Sequence, residues 1–160
     1  MSIGDHLLYP DAHFTVEGQL HPGIVTEVAI SQPPEYFSEK ASNYFAGNSG
    51  VRLVIGLNAR HGRRLDLYLW VSPTECSKIE ILNGDHTSSG TLNIPLGAFG
   101  SPSLAIKFPG ADLDQKFVLK SDEIATVYDS AFKDHASRQL LAGGKSPGDK
   151  LDLRGLWVFS

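Results

Sequence analysis

Two acidic residues stand where a carboxylate is costly. Asp11 follows Pro10 at the start of a segment that alternates with period two. Glu27 lies sixteen residues further on, inside Gly23-Ile24-Val25-Thr26-Glu27-Val28-Ala29-Ile30. A carboxylate among Ile24, Val25, Val28 and Ile30 is expensive to bury unless something pairs with it. Two carboxylates on neighbouring strands are suited to share a divalent cation, which offsets that cost. Mg2+ is commonly held by one or two protein carboxylates, with water and substrate phosphate completing its shell. Such an ion makes a bound water nucleophilic at neutral pH and stabilises charge developing on a phosphoryl oxygen. His13 shares the strand face of Asp11 and is a candidate proton shuttle or supporting partner. Gln32 is a candidate polar accessory. Arg60, Arg63 and Arg64 form a local basic cluster that would suit a phosphate backbone. Each residue also has a plainer reading. Asp11 after proline fits a strand-entry turn, and Glu27 fits a cross-strand pair with an arginine or lysine. His13 fits a structural histidine, and the arginines fit a solvated hairpin tip.

The elements that must position these residues are legible from periodicity. From Pro10 to Val16, Pro10, Ala12, Phe14 and Val16 fall on one face, with Asp11, His13 and Thr15 on the other, which predicts a strand. His21-Pro22-Gly23 turns the chain into a second strand over 24–30, with Val25, Glu27 and Ala29 sharing a face. Pro33-Pro34 opens a helix, because proline suits a first turn whose N–H groups have no partner. The helix runs to about Ala46, with Phe37, Ala41, Tyr44 and Phe45 as its buried stripe and Gly47-Asn48 as its stop. Residues 51–57 and 63–71 are two further strands, and His61-Gly62 between them makes a hairpin. Short strands are expected at 78–82, 91–96 and 104–108, a second helix over 121–141 and a last strand over 151–159. Asp122 and Glu123 suit the second helix's first turn, and Asp112-Leu113-Asp114 reads as a loop.

The 160 residues fit one domain with a real core, spanning 1–160. Gly is frequent (16 residues) and Pro numbers 9, as expected for many turns and short strands. The single cysteine, Cys76, excludes an intrachain disulfide. No apolar run approaches the ~20 residues of a membrane helix, and the N-terminus lacks the pattern of a signal peptide. These features predict an intracellular protein, cytoplasmic or nuclear, with no membrane partner. A net charge of −4 argues against a surface coated in nucleic-acid-binding charge, leaving only the local arginine cluster. The histidines and Cys76 have no paired zinc-ligand spacing. There is no phosphate-cradling Gly-rich motif and no G-x-S-x-G nucleophile turn.

Pro10-Asp11, then Glu27-Val28-Ala29, then a helix and a hydrophobic strand resembles the PD-(D/E)XK nuclease superfamily, the restriction-endonuclease-like fold. The resemblance covers residues 7–71, with 76–160 completing the domain. It implies an α/β fold: a central mixed β-sheet flanked by helices, with a β-rich C-terminal part. It implies that Asp11 and Glu27 bind Mg2+ or Mn2+ and that the protein hydrolyses phosphodiester bonds of nucleic acid. Most members carry a lysine two residues after the Glu, where this chain has Ala29. Some branches place it on the following helix, reading Glu-Val, a Ser-containing turn, Lys, then Tyr. Here those are Glu27-Val28, Ser31, Lys40 and Tyr44, so the resemblance makes Lys40 the third catalytic residue. At ~100° per residue Lys40 falls about 60° from Phe37, at the rim of the buried stripe, where its stem lies along the sheet and its amine stays free. Lys40 also fits an ordinary surface lysine. The family's usual helix ahead of the Asp strand has no room before Leu7, which implies a shortened relative or one completed by a partner, including a homo-oligomer. Ala29 and that missing helix favour a second reading, a catalytically inactive binding or assembly module of the same fold. The strands and turns of 78–108 also permit an unrelated β-rich sugar- or protein-binding domain.

Overall fold

The structure is a computed structural model, and it describes residues 10–16, 20–47, 50–99, 112 and 114–141. The expected strands at 104–108 and 151–159 lie outside the described residues. Elements run β1 (Ala12–Phe14), β2 (Ile24–Ile30), α1 (Pro34–Gly47), β3 (Leu53–Arg60), β4 (Arg64–Ser72), β5 (Glu75–Asn83), β6 (His86–Thr87) and β7 (Thr91–Pro95). A 3-10 turn at Leu96–Phe99, β8 (Lys116–Lys120) and α2 (Ser121–Leu141) follow.

Strands β1 to β6 form one mixed sheet in sequence order, and β7 pairs with β8 in a second, two-stranded sheet. Only β2 and β3 are parallel. A parallel pair needs a crossover, and α1 supplies it. Both faces of the large sheet are covered, which is why its central strands are buried almost throughout. On one face Phe37, Ala41 and Tyr44 of α1 pack on Val25, Ala29, Val54, Tyr68 and Trp70. On the other, residues such as Ile24, Ile55, Leu57 and Leu67 meet β7, β8 and the start of α2.

Two glycines set how closely these layers approach. A Cβ on Gly56 would stand 2.7 Å from Phe37 Cδ1 and 3.1 Å from Trp70 Cζ3, so its absence lets Phe37 stack against Tyr68 and Trp70. A Cβ on Gly23 would fall 2.5 Å from the Ala98 carbonyl oxygen, so the 3-10 turn rests directly on the start of β2. Gly23 also joins three strands: its N–H donates to Phe14, and its carbonyl accepts from Arg52 and Leu53.

The first strand is shorter than its alternation predicts, because the ladder to β2 holds only Ala12, His13 and Phe14. Asp11 is a bend residue just ahead of it. The hairpin is as expected, and its tip bends sharply: Gly62 and Arg63 both have positive φ. Strand β8 was not anticipated, although Lys116-Phe117-Val118-Leu119-Lys120 alternates exposed and half-buried. No helix among the described residues is long and apolar enough to cross a membrane.

Candidate active site

Glu27 sits in mid-β2 and is 1% exposed. Its strand neighbours put it under α1, where helical spacing aligns Tyr36, Lys40 and Tyr44 in one row of i, i+4 steps. Two residues of that row close on the carboxylate. Lys40 Nζ donates to Glu27 Oε2 at 2.7 Å, and the Tyr44 hydroxyl donates to Oε1. The buried charge is therefore both neutralised and hydrogen-bonded, as burial requires. Burial works to lower the Lys40 pKa, but the hydrogen bond and charge of Glu27 outweigh it and hold the ammonium above its ordinary range. Tyr44 is pushed well above the ordinary phenol range, first by burial and then by Glu27, with Asp11 adding to the effect. Tyr44 is thus a fixed donor, not a proton carrier. Tyr36 supports the other side of Lys40, its ring centroid 5.3 Å from Nζ.

Asp11 reaches the same place from the sheet edge. The β1–β2 register runs Phe14↔Ile24, His13↔Val25, Ala12↔Thr26 and ends there, so Asp11 lies just past the end of the ladder, next to the Glu27-Val28 stretch of β2. Asp11 Oδ2 accepts the Val28 N–H at 2.8 Å, which pins the carboxylate across the end of the ladder. Asp11 itself is exposed, so one acid of the pair meets solvent and the other does not.

The remaining candidates divide. His13 lies on the same face, opposite Val25, exposed and outside the hydrogen bonds of the site. Gln32 is exposed beyond β2. Its backbone N–H and carbonyl are held at 3.2 and 2.7 Å by the side chain of Asn58, which is 1% exposed. The basic cluster is not one site. Arg60 pairs with Asp66. Arg63 clamps Asp129 of α2, with its Nε at 2.9 Å, and also the Gly84 carbonyl at 2.7 Å. Of the three arginines, Arg64 alone is exposed, while Arg60 and Arg63 are held in ion pairs.

Asp66 is the buried acid that the sequence reading missed. It is 1% exposed in mid-β4 and is held by Arg60 and by Lys78, whose Nζ lies at 3.2 Å. The signal was the same as for Glu27: a lone acid between Leu65 and Leu67. Through Gly56 and Tyr68, Glu27 is two strands from β4, and Asp66 pairs with Asn58 one step further along the face. Asp66 therefore forms a separate ion cluster, and each of its cations is shared with nothing at the Glu27 site.

The donor set of Asp11 and Glu27 fits Mg2+ or Mn2+ in kind, since both supply hard carboxylate oxygens from adjacent positions. The stand-in is Lys40: a cation already sits 2.7 Å from Glu27 Oε2. Among the described residues there is no group of three or more His, Cys, Asp or Glu that could hold an ion, so an ion here would have only these two acids as protein carboxylate ligands. Comparison with protein-family models, with curated proteins and with solved structures found no match.

Proposed function

We propose that the chain is a metal-dependent nuclease of the PD-(D/E)XK type, hydrolysing phosphodiester bonds of nucleic acid in the cytoplasm or nucleus. The observation that carries this reading is the convergence of Lys40, thirteen residues away in sequence, on the buried Glu27 carboxylate, with Asp11 held on the N–H of the next residue, Val28. The restriction-endonuclease-like arrangement expected from the sequence requires that same meeting of an edge-strand Asp, a mid-strand Glu and a helix-borne Lys.

In this reading Asp11 and Glu27 would hold Mg2+ or Mn2+, which supplies a polarised water and charge stabilisation when bound. Lys40 holds positive charge at the face of the carboxylates, where a phosphate oxygen would enter. Tyr44 fixes the rotamer of Glu27 and stays protonated while doing so. Asp11, being exposed, is the solvent side of the site and the point where a phosphate approaches. Arg64 is the member of the basic cluster free to meet backbone phosphate, since Arg60 and Arg63 are committed to Asp66 and Asp129.

One observation favours the second reading, an inactive binding module of the same fold. Both oxygens of Glu27 are satisfied from within the protein, which is what a purely structural ion pair would show. Cleavage assays separate the two. With Mg2+ or Mn2+, the wild-type chain should cut DNA or RNA, and Glu27→Ala and Asp11→Ala should abolish cutting while remaining folded by circular dichroism. A wild-type chain that cuts neither substrate with either ion leaves the binding module as the surviving reading.

A further inference from the structure

We infer that Lys40 is the resident counter-ion of the Glu27 site, holding the position on Oε2 that a divalent ion needs, so that metal entry and the Lys40–Glu27 contact exclude one another. This rests on the metal-site reading above and adds to it a means by which the chain keeps the site closed to ions.

Each carboxylate oxygen keeps a further lone pair, but Glu27 is 1% exposed behind Lys40 on one oxygen and Tyr44 on the other, so an ion reaches it only by moving one of these side chains aside. The two donors are unequal. Tyr44 is 6% exposed and packed within the core under α1. The Lys40 side chain is 27% exposed and ends a flexible four-carbon stem. It also has somewhere to go, because the Tyr36 ring already lies 5.3 Å from Nζ and attracts a cation to its face. Asp11 keeps one oxygen on Val28 N–H and offers its other from the exposed side. An incoming divalent ion would thus find Asp11 accessible and Glu27 guarded by a single movable ammonium. An ammonium and a divalent ion on the same carboxylate oxygen repel each other, so the two occupancies compete instead of adding.

The test measures Mn2+ binding by isothermal titration calorimetry for the full chain and for Lys40→Met, Lys40→Gln and Glu27→Gln, without nucleic acid. Both Lys40 variants should bind Mn2+ at least tenfold more tightly than wild type, and Glu27→Gln should bind least. Lys40→Gln keeps a hydrogen-bond donor for the buried carboxylate and guards against a folding defect in Lys40→Met. A second measurement titrates the wild type, with Lys40→Met used only to assign the signal. In a 15N-lysine NMR titration with Mg2+, the ammonium signal that Lys40→Met removes should lose its exchange protection as the ion binds. Folded Lys40 variants that bind Mn2+ no more tightly than wild type, or a Lys40 ammonium still protected at Mg2+ saturation, overturn the inference and leave the metal site standing. If neither wild type nor the Lys40 variants bind Mn2+ at millimolar concentration, the metal-site reading falls together with it.

Discussion

At the scale of single residues, the chain's chemistry centres on a carboxylate that the fold has gone to some length to satisfy. The position of Glu27 was legible, because an acid flanked by β-branched residues in mid-strand has to meet a partner. Lys40 came from the resemblance, and helical rotation agrees with it by placing the residue at the rim of the buried stripe. Tyr44 was named in the same motif, but was counted as core because its spacing matches Phe37 and Ala41. Its hydroxyl does the second task, which periodicity does not encode. Asp66 escaped notice although its flanks, Leu65 and Leu67, carry the same signal. Replacing Lys40 with Ala leaves the buried carboxylate without its cation. The half-solvated setting moderates the loss, and it should cost roughly 1–3 kcal/mol in urea denaturation. Tyr44→Phe removes one hydrogen bond to a charged, buried acceptor and should cost roughly 1.5–3 kcal/mol by the same measurement. Both changes should also lower any metal-dependent cleavage, Lys40→Ala the more strongly.

At the scale of elements, the site depends on how α1 lies on β2, β3 and β4. Gly56 is a point of close approach, beside Glu27 in the β2–β3 register. Gly56→Ala should push Phe37 and the helix outward, costing about 1–3 kcal/mol by overpacking. Because the same helix carries Lys40 and Tyr44, it should reduce cleavage by more than that loss of stability explains, read as a fall in kcat in a sample still fully folded by circular dichroism. The order β-β-α-β-β and the face parities of β1 and β2 were readable from alternation. The shortness of β1 was not, because the ladder length depends on what β2 can pair with and not on the alternation of β1 alone. The fate of the basic cluster was equally hidden, since Asp129 is sixty-six residues from Arg63. That clamp ties the β3–β4 hairpin to α2. The Arg63 hydrogen bond, aided by its charge, holds the Asp129 carboxyl below its ordinary value of 3.8 against a smaller opposing effect of burial. With a depressed folded-state pKa, its contribution is present above the unfolded value and is lost as pH falls through the folded one. The difference in Tm between wild type and Asp129→Asn should therefore narrow as pH falls from ~5 to ~2. A difference that stays constant across that range would show that the clamp adds nothing to acid stability.

At the scale of the whole molecule, one sheet carries both apolar clusters, the α1 side and the side covered by β7, β8 and α2. A buried polar site is thereby held between two packed layers that share the same strands. Leu57→Ala on the side away from α1 should lower stability by roughly 2–5 kcal/mol. Far-UV circular dichroism and tryptophan fluorescence should still report one coincident transition, since losing either layer exposes the common sheet. The α/β class with a mixed sheet, as the resemblance implied, is present, and α1 between the buried strands β2 and β3 makes their parallel crossover. The second, two-stranded sheet did not follow, because β7 and β8 are too far apart in sequence for a tight hairpin turn to signal their pairing. Whether Asp11 and Glu27 act together on an ion decides whether the site is a metal centre. A crystal soaked in Mn2+ measures this directly through its anomalous scattering. The expected result is a peak within about 2.0–2.6 Å of both carboxylates, with Lys40 Nζ withdrawn from Glu27 Oε2. The absence of such a peak at saturating Mn2+, with Lys40 still seated on Glu27, would contradict it.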